Sequence, residues 1–419
     1  MSNLKDCKTI EDFGGWLAEG LGRPTSKFVQ DMLKGIYTSR SVRLADVARA
    51  LGESCDLHAT RNRLSRNLAN SDLATELSDR LIQQSARSIK RDTRLIVHIH
   101  TLTKPDARKM QYLYEEAEDS ASKQPPSAID GYQVCEIIAN NVGSPKYLPL
   151  LSTFWSRHAP EYVSDVDKIS RTIHQVLTMT NGRGIVLLDH PFVALHTLNE
   201  LTAELSGDAG VPFVARIQDD NTRFRYRQQS KMVSELAKLC NIRYASRIFK
   251  VQPTRWVVPL PRQDNSDYQA LYQEIGSSTD DTLAERSIGM EYGSLTVRHH
   301  DSKRRLTLIA LKGELNSYLL TSLEGMRTRK SLLEPIESWF SIWDVVSAHS
   351  SIREGFAPGD IGVMKYDRMQ LLLTLLHAVV FFESRSYRLN KSLTGLQPHA
   401  GRKYRRDFLL PEDVERLGS

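Results

Sequence analysis

Three things are scarce in this chain. Cysteine is the first: 419 residues contain four, Cys7, Cys55, Cys135 and Cys240. They are too few for a disulfide scaffold and none are paired at metal-ligand spacing, so a reduced compartment, the cytoplasm, is expected. Long apolar runs are the second. The longest, LLLTLLHAVVFF (371–382), is shorter than a membrane span and carries His377, so it reads as a buried helix. The N-terminal MSNLKDCKTIEDF lacks the apolar core of a signal peptide, and no membrane contact is expected. The third scarcity is local. Residues 223–255 hold nine Lys and Arg but one acid, Glu235, in a chain with 56 bases and 50 acids overall. A net charge of +6 alone selects no partner. A run stripped of acid is more telling, because a merely solvated face carries both signs.

What is present is a globular composition, 40% hydrophobic and 25% charged, on a length that allows two or three cores. Residues 1–90 read as helical. FVQDMLKGIY (28–37) has apolar positions at helical spacing. LADVARAL (44–51) ends at Gly52, which suits a helix stop, and a second helix starts at Asp56, which suits an N-cap. Two short helices joined in this way suggest a helix-turn-helix. The second helix offers Thr60, Arg61, Asn62, Arg63, Arg66 and Asn67 with no acid among them, while Leu57, Leu64 and Leu68 are expected to face the core. Arg and Asn are the side chains that form paired contacts to guanine and adenine edges. The bland alternative is a solvated face on a structural bundle.

After the basic linker RSIKRDTR (87–94) the pattern turns to strands, at 94–102, 127–142, 147–156 and 184–190. Helices are expected at 166–180 and 194–205, and another strand at 212–218. Strands followed by helices make an α/β core. The five expected segments are a helical DNA-binding domain (1–90), the first part of the core (91–220), an inserted β-rich basic region (221–304), the second part of the core with C-terminal helices (305–390) and a basic tail (391–419). Arg223, Arg225 and Arg227 alternate, so in a strand they share one face that can neutralise phosphates. Lys231, Arg243, Arg247, Lys250 and Arg255 extend the same basic region, and Arg402, Lys403, Arg405 and Arg406 lie in the tail.

The order of these pieces resembles the DDE-type insertion-sequence transposases of family four. The segments that carry the resemblance are FVQDMLKGIYTSRSVRLADVARAL with RLSRNLAN, RLIVHIHTLTKPDARKM (94–110), DGYQVCEIIAN (130–140), IVLLDHPF (185–192), PFVARIQDDNTR (212–223) with Arg216, and LEPIESWFSIWDVVSAHSSIREGF (333–356) with Trp339 and Trp343. Together they cover roughly residues 25 to 385. The resemblance implies an RNase H-like core that holds two divalent metal ions on three carboxylates. This sequence departs from that pattern at two of the three positions. His98 stands where the first Asp belongs, Asp189 is in place, and Val346 stands where the Glu belongs.

The expectation is therefore a transposase-like protein that binds double-stranded DNA, has lost cleavage, and acts as a regulator or an inhibitor of transposition, associated with the nucleoid and plausible as a homodimer. No small-molecule substrate and no cofactor are expected; Mg²⁺ or Mn²⁺ would enter only if catalysis were retained. Two enzymatic alternatives stay open. One is an active transposase with shifted carboxylates. The other is a metal-dependent hydrolase using His98, His100 and Asp189, since His98 and His100 project from one face of a strand.

Overall fold

The computed structural model describes residues 7–104, 109–113, 131–141, 146–189, 210–217, 222–251, 285–299, 304–313 and 316–385, together with Leu4, Ala107 and Ser144. In chain order the elements are α1 (Ile10–Leu17), α2 (Arg23–Ser39), α3 (Leu44–Leu51), α4 (Leu57–Asn67), α5 (Ser71–Ala86), β1 (Arg94–Thr103), β2 (Gly131–Asn140) and β3 (Tyr147–Trp155). Then come α6 (Asp165–Met179), β4 (Ile185–Leu188), β5 (Phe213–Ile217), β6 (Arg223–Tyr226), β7 (Gln229–Met232), α7 (Val233–Leu239), β8 (Asn241–Val251) and β9 (Glu285–Arg298). The last are β10 (Arg305–Gly313), β11 (Ser317–Thr321), α8 (Arg329–Glu354) and α9 (Tyr366–Ser384), with a short 3-10 turn at Pro358–Asp360. The fold is mixed α/β. The helix expected at 194–205, Arg255 and the basic tail lie outside the described residues. So do the side chains of Trp343, Arg247 and Lys250.

The chain divides into two compact units, Met1–Val186 with Trp343–Arg388, and Leu187–Ile342 with the C-terminal stretch from Leu389. The boundary expected near residue 90 falls inside the first unit. Its local structure follows from the sequence. Thr9 caps α1 by accepting from the Asp12 amide, and the Asp12 carboxylate accepts from the Thr9 amide in return. Gly52 closes α3 at φ +60°, where any side chain would be strained, and the Asp56 carboxylate accepts from the His58 amide to open α4. Exposed Cys55 lies in the turn between them. Helix α9 is the hydrophobic centre, with Leu371, Leu372, Leu375, Val379 and Phe381 all buried. Helices α1, α2 and α5 and strand β3 pack on it, and Phe13 meets both Phe381 and Phe382. Each such side chain contributes about 1.5–3 kcal/mol by leaving water. The run at 371–382 is thus a buried helix, and no helix among the described residues is long and apolar enough to cross a membrane.

Strands β1, β2 and β3 pair antiparallel in this unit, with His98 opposite Glu136. Gly131 is required at the start of β2, because a Cβ there would lie 2.5 Å from the Thr101 methyl and 2.9 Å from the Leu102 carbonyl. Pro149 lies within β3 opposite Ile138, where a register shift interrupts the ladder; a bulge is one of the few places a strand tolerates a missing N–H. Buried Lys104 ties the end of β1 to the 3-10 turn by donating to the Gly359 and Ile361 carbonyls. Burial lowers its pKa to about 8, with Asp360 opposing the shift.

In the second unit β5, β11, β10, β9, β6 and β7 run side by side, all by antiparallel pairing, and β8 pairs the other stretch of β9. The described residues of 221–304 form strands β6 to β9 and one helix, α7. There Glu235 folds back to accept from the Met232 amide, a helix start that the β-leaning reading passed over.

Candidate functional site

The recognition-helix reading divides into residues that face out and residues that are spent holding the bundle. Thr60 is buried and donates to Glu53 at 2.9 Å. Arg63 is clamped between Asp31 (2.9 Å) and both Glu53 oxygens (2.9 and 3.0 Å), and Asn67 donates to the Arg63 carbonyl. Burial alone would raise the Glu53 pKa, but Thr60, Arg63 and Lys27 together bring it down to about 2. Arg61, Asn62 and Arg66 stay exposed, and His58 joins them one turn earlier. These four share one helical face at spacings of three and four. Leu64 and Leu68 are buried as expected. Leu57 is not: at the first position of α4 it remains 41% exposed, ahead of the turns that pack.

The arginine face of the second unit is wider than the sequence suggested. On β6, Arg223 and Arg225 are exposed and flank buried Phe224. Arg225 pairs with Arg298 of β9, and Arg298 pairs with Arg305 of β10, so three exposed arginines stand in one row across three strands. No carboxylate among the described residues pairs with any of these four. Arg227 and Gln228 form the β6–β7 turn, both at positive φ, and the Arg227 guanidinium sits 5.2 Å from the Tyr226 ring centre. Lys231 lies opposite Phe224 and so falls on the other side of the hairpin from Arg225. Arg243 is the exposed extra residue at the register shift between Ile242 and Tyr244. The backbones of Arg247 and Lys250 pair with Gly289 and Arg286. The run at 223–255 revealed one member of the row, Arg225, and Arg223 beside it. Arg298 and Arg305 were hidden because only strand register brings them alongside.

Within the second unit Asp189 follows β4 directly. Its Oδ2 accepts from the Trp339 indole at 2.8 Å, and Arg216 approaches Oδ1 to 3.8 Å. The Arg216 guanidinium also lies over the Trp339 ring at 5.5 Å and donates through Nε to Ser317. The Asp189 carboxylate, expected from the sequence as a metal ligand, is thus already engaged by protein donors. His98 and Val346 belong to the first unit, and both are half-buried. An imidazole, an engaged carboxylate and a hydrocarbon are not the oxygen-rich donor set that paired Mg²⁺ or Mn²⁺ ions require, so those ions do not fit these three positions.

His98 and His100 do meet an acid within their own unit, but it is Glu136. The two imidazoles stack at 5.1 Å on one face of β1. Donor atoms of His98, His100 and Glu136 all lie within 4.8 Å of one another. Glu136 is buried, and two cationic or polar side chains of α8 reach it: Arg353 at 2.7 Å on Oε2, and His349 at 2.9 Å on Oε1, a close contact outside good hydrogen-bond geometry. Arg353 also touches His100 at 2.7 Å and holds the more exposed Glu354. Burial opposes the Glu136 charge, yet His349 and Arg353 keep its pKa well below the usual carboxylate range. The His100 pKa is also pushed down, well below the usual imidazole value, by burial first and then by the Arg353 charge, which favours the neutral ring. His377 of α9 lines the same pocket, which has about 350 Å³ of empty space including its mouth. Burial brings the His377 pKa down to about 4. The sequence signal for this cluster was there to read: one acid at the centre of the apolar strand GYQVCEIIAN is an anomaly that demands a partner.

No family model matches the chain, and no curated protein matches it.

Proposed function

We propose that this protein binds double-stranded DNA without cutting it, as a transposase-derived regulator or inhibitor of transposition built on an RNase H-like core. The observation that carries the reading is the row Arg225–Arg298–Arg305, with Arg223 beside it. Like charges placed directly opposite one another cost stability. An exposed, unbalanced row of them is favoured where phosphates supply the missing charge. The outward face of α4, with His58, Arg61, Asn62 and Arg66, is a second contact of the kind that reads base edges. The loss of cleavage rests on Val346, which offers no metal ligand, and on Asp189, whose oxygens are engaged by Trp339 and Arg216.

The test is duplex binding measured by fluorescence anisotropy at several salt concentrations. Replacing Arg225, Arg298 and Arg305 together with Gln is expected to flatten the salt dependence by roughly two to three phosphates' worth of slope. The same protein is expected to leave a labelled duplex intact in Mg²⁺ and in Mn²⁺. Absence of salt-dependent duplex binding by the native protein would remove the DNA reading, unchanged binding in the triple variant would remove the arginine row as its carrier, and Asp189-dependent nicking would remove the non-catalytic reading.

A further inference from the structure

We propose that His98, His100 and Glu136 form a binding site for a single first-row transition-metal dication of the zinc type, and that this ion competes with Arg353 for Glu136. The site lies wholly in the first unit and stands apart from the DNA reading.

Strand pairing builds it. His98 stands opposite Glu136 across β1 and β2, and His100 follows two residues on, so all three project from one face. Two imidazoles and one carboxylate suit Zn²⁺, Co²⁺ or Fe²⁺, whereas Mg²⁺ asks for oxygen ligands. Around a tetrahedral zinc, donor atoms sit about 3.4 Å from one another. Here they are already within 4.8 Å, so side-chain adjustments of about an ångström close the set. The histidines are partly exposed, His100 by 19%, while Glu136 is buried, which leaves an ion an approach from the histidine side and a carboxylate shielded from water. His349 is fully buried and approaches the other oxygen of Glu136 to 2.9 Å from behind.

Arg353 is what makes the site conditional. A buried carboxylate needs a cation, and Arg353 supplies one by touching both Glu136 and His100. It also holds Glu354 at 2.9 Å, on the solvent side, so it keeps a counter-charge when it yields Glu136 to an ion.

The decisive experiment uses the metal-stripped full chain. Zn²⁺ binding is followed by calorimetry, and Co²⁺ binding by its d–d absorption. One equivalent is expected to bind saturably. His98→Gln and His100→Ala are each expected to weaken it about tenfold or more. Arg353→Met is expected to tighten it, because the competitor is gone. Absence of saturable binding at one equivalent, affinity unchanged in His98→Gln, or weaker binding in a folded Arg353→Met would each overturn the proposal. If Arg353→Met does not fold, the comparison of the native chain with His98→Gln, at a half-exposed position, decides alone.

Discussion

Arg225 and Arg298 stand directly opposite each other on paired antiparallel strands. Their mutual repulsion is a cost the folded unit bears in the absence of an anion. Arg298→Thr is therefore expected to raise the thermal midpoint slightly, by a few tenths of a kcal/mol in stability, while weakening duplex binding. Melting curves and anisotropy on the same preparation check both. A lower midpoint would show that Arg298 contributes packing that outweighs its charge.

Arg61 and Arg63 are two positions apart but do different work. Arg63 joins α4 to Asp31 of α2 and to Glu53. Arg63→Ala is expected to cost about 1–3 kcal/mol, because two partly buried carboxylates lose a charged donor and are left to Lys27 and Thr60. Arg61→Ala is expected to leave the melting temperature in place and to reduce DNA affinity by about 1–3 kcal/mol if it contacts a base, or uniformly across sequences if it contacts phosphate. Equal thermal effects would mean that α4 has no outward face distinct from its structural one.

The contact of Trp339 with Asp189 is read most directly by a double-mutant cycle. Asp189→Ala leaves a buried indole N–H without its acceptor, at a cost of about 1–3 kcal/mol. Trp339→Phe removes the donor. The two losses are expected to be non-additive by at least 0.5 kcal/mol on urea denaturation, as for residues in direct contact (roughly 0.5–3 kcal/mol). Strict additivity would mean that the hydrogen bond carries no energy.

His377 sets a pH dependence whose direction follows from its pKa. Burial lowers that pKa to about 4 in the folded protein, against 6.5 as the ordinary value. Between those values the unfolded chain binds a proton that the folded one does not. Stability is therefore expected to fall as pH drops from about 6.5 towards 4, and this contribution levels off below 4. The full swing is on the order of 3 kcal/mol. Denaturation midpoints at pH 7 and pH 5 are expected to lie closer together in His377→Gln than in the native chain. An undiminished pH dependence in that variant would assign the effect to His100, whose shift has the same sign.

The fold was legible where one element announces itself over a short window. Gly52 and Asp56 bracketed the turn between α3 and α4, and the apolar run at 371–382 gave the buried helix. The strands at 94–102 and 147–156 emerged within a residue of their bounds. What stayed hidden depends on register and tertiary contact. Thr60 and Arg63 look like reading-helix residues until Glu53 and Asp31 are seen to claim them. Arg298 and Arg305 joined Arg225 only through strand pairing. The acid expected beside His98 and His100 was Asp189, the next strand-end carboxylate of the motif order, whereas β2 places Glu136 opposite His98 within the unit.

The turn between α3 and α4 has a practical side. Of the four thiols, Cys7, Cys135 and Cys240 are buried, and burial pushes the last of these up to about 11, while Cys55 is exposed at the entrance to the helix whose outer face we assign to DNA. A maleimide dye or nitroxide will therefore attach at one place in the native chain, without any engineered cysteine. Titration with oligonucleotides then reports directly on whether that helix, rather than the arginine row, is the part that docks.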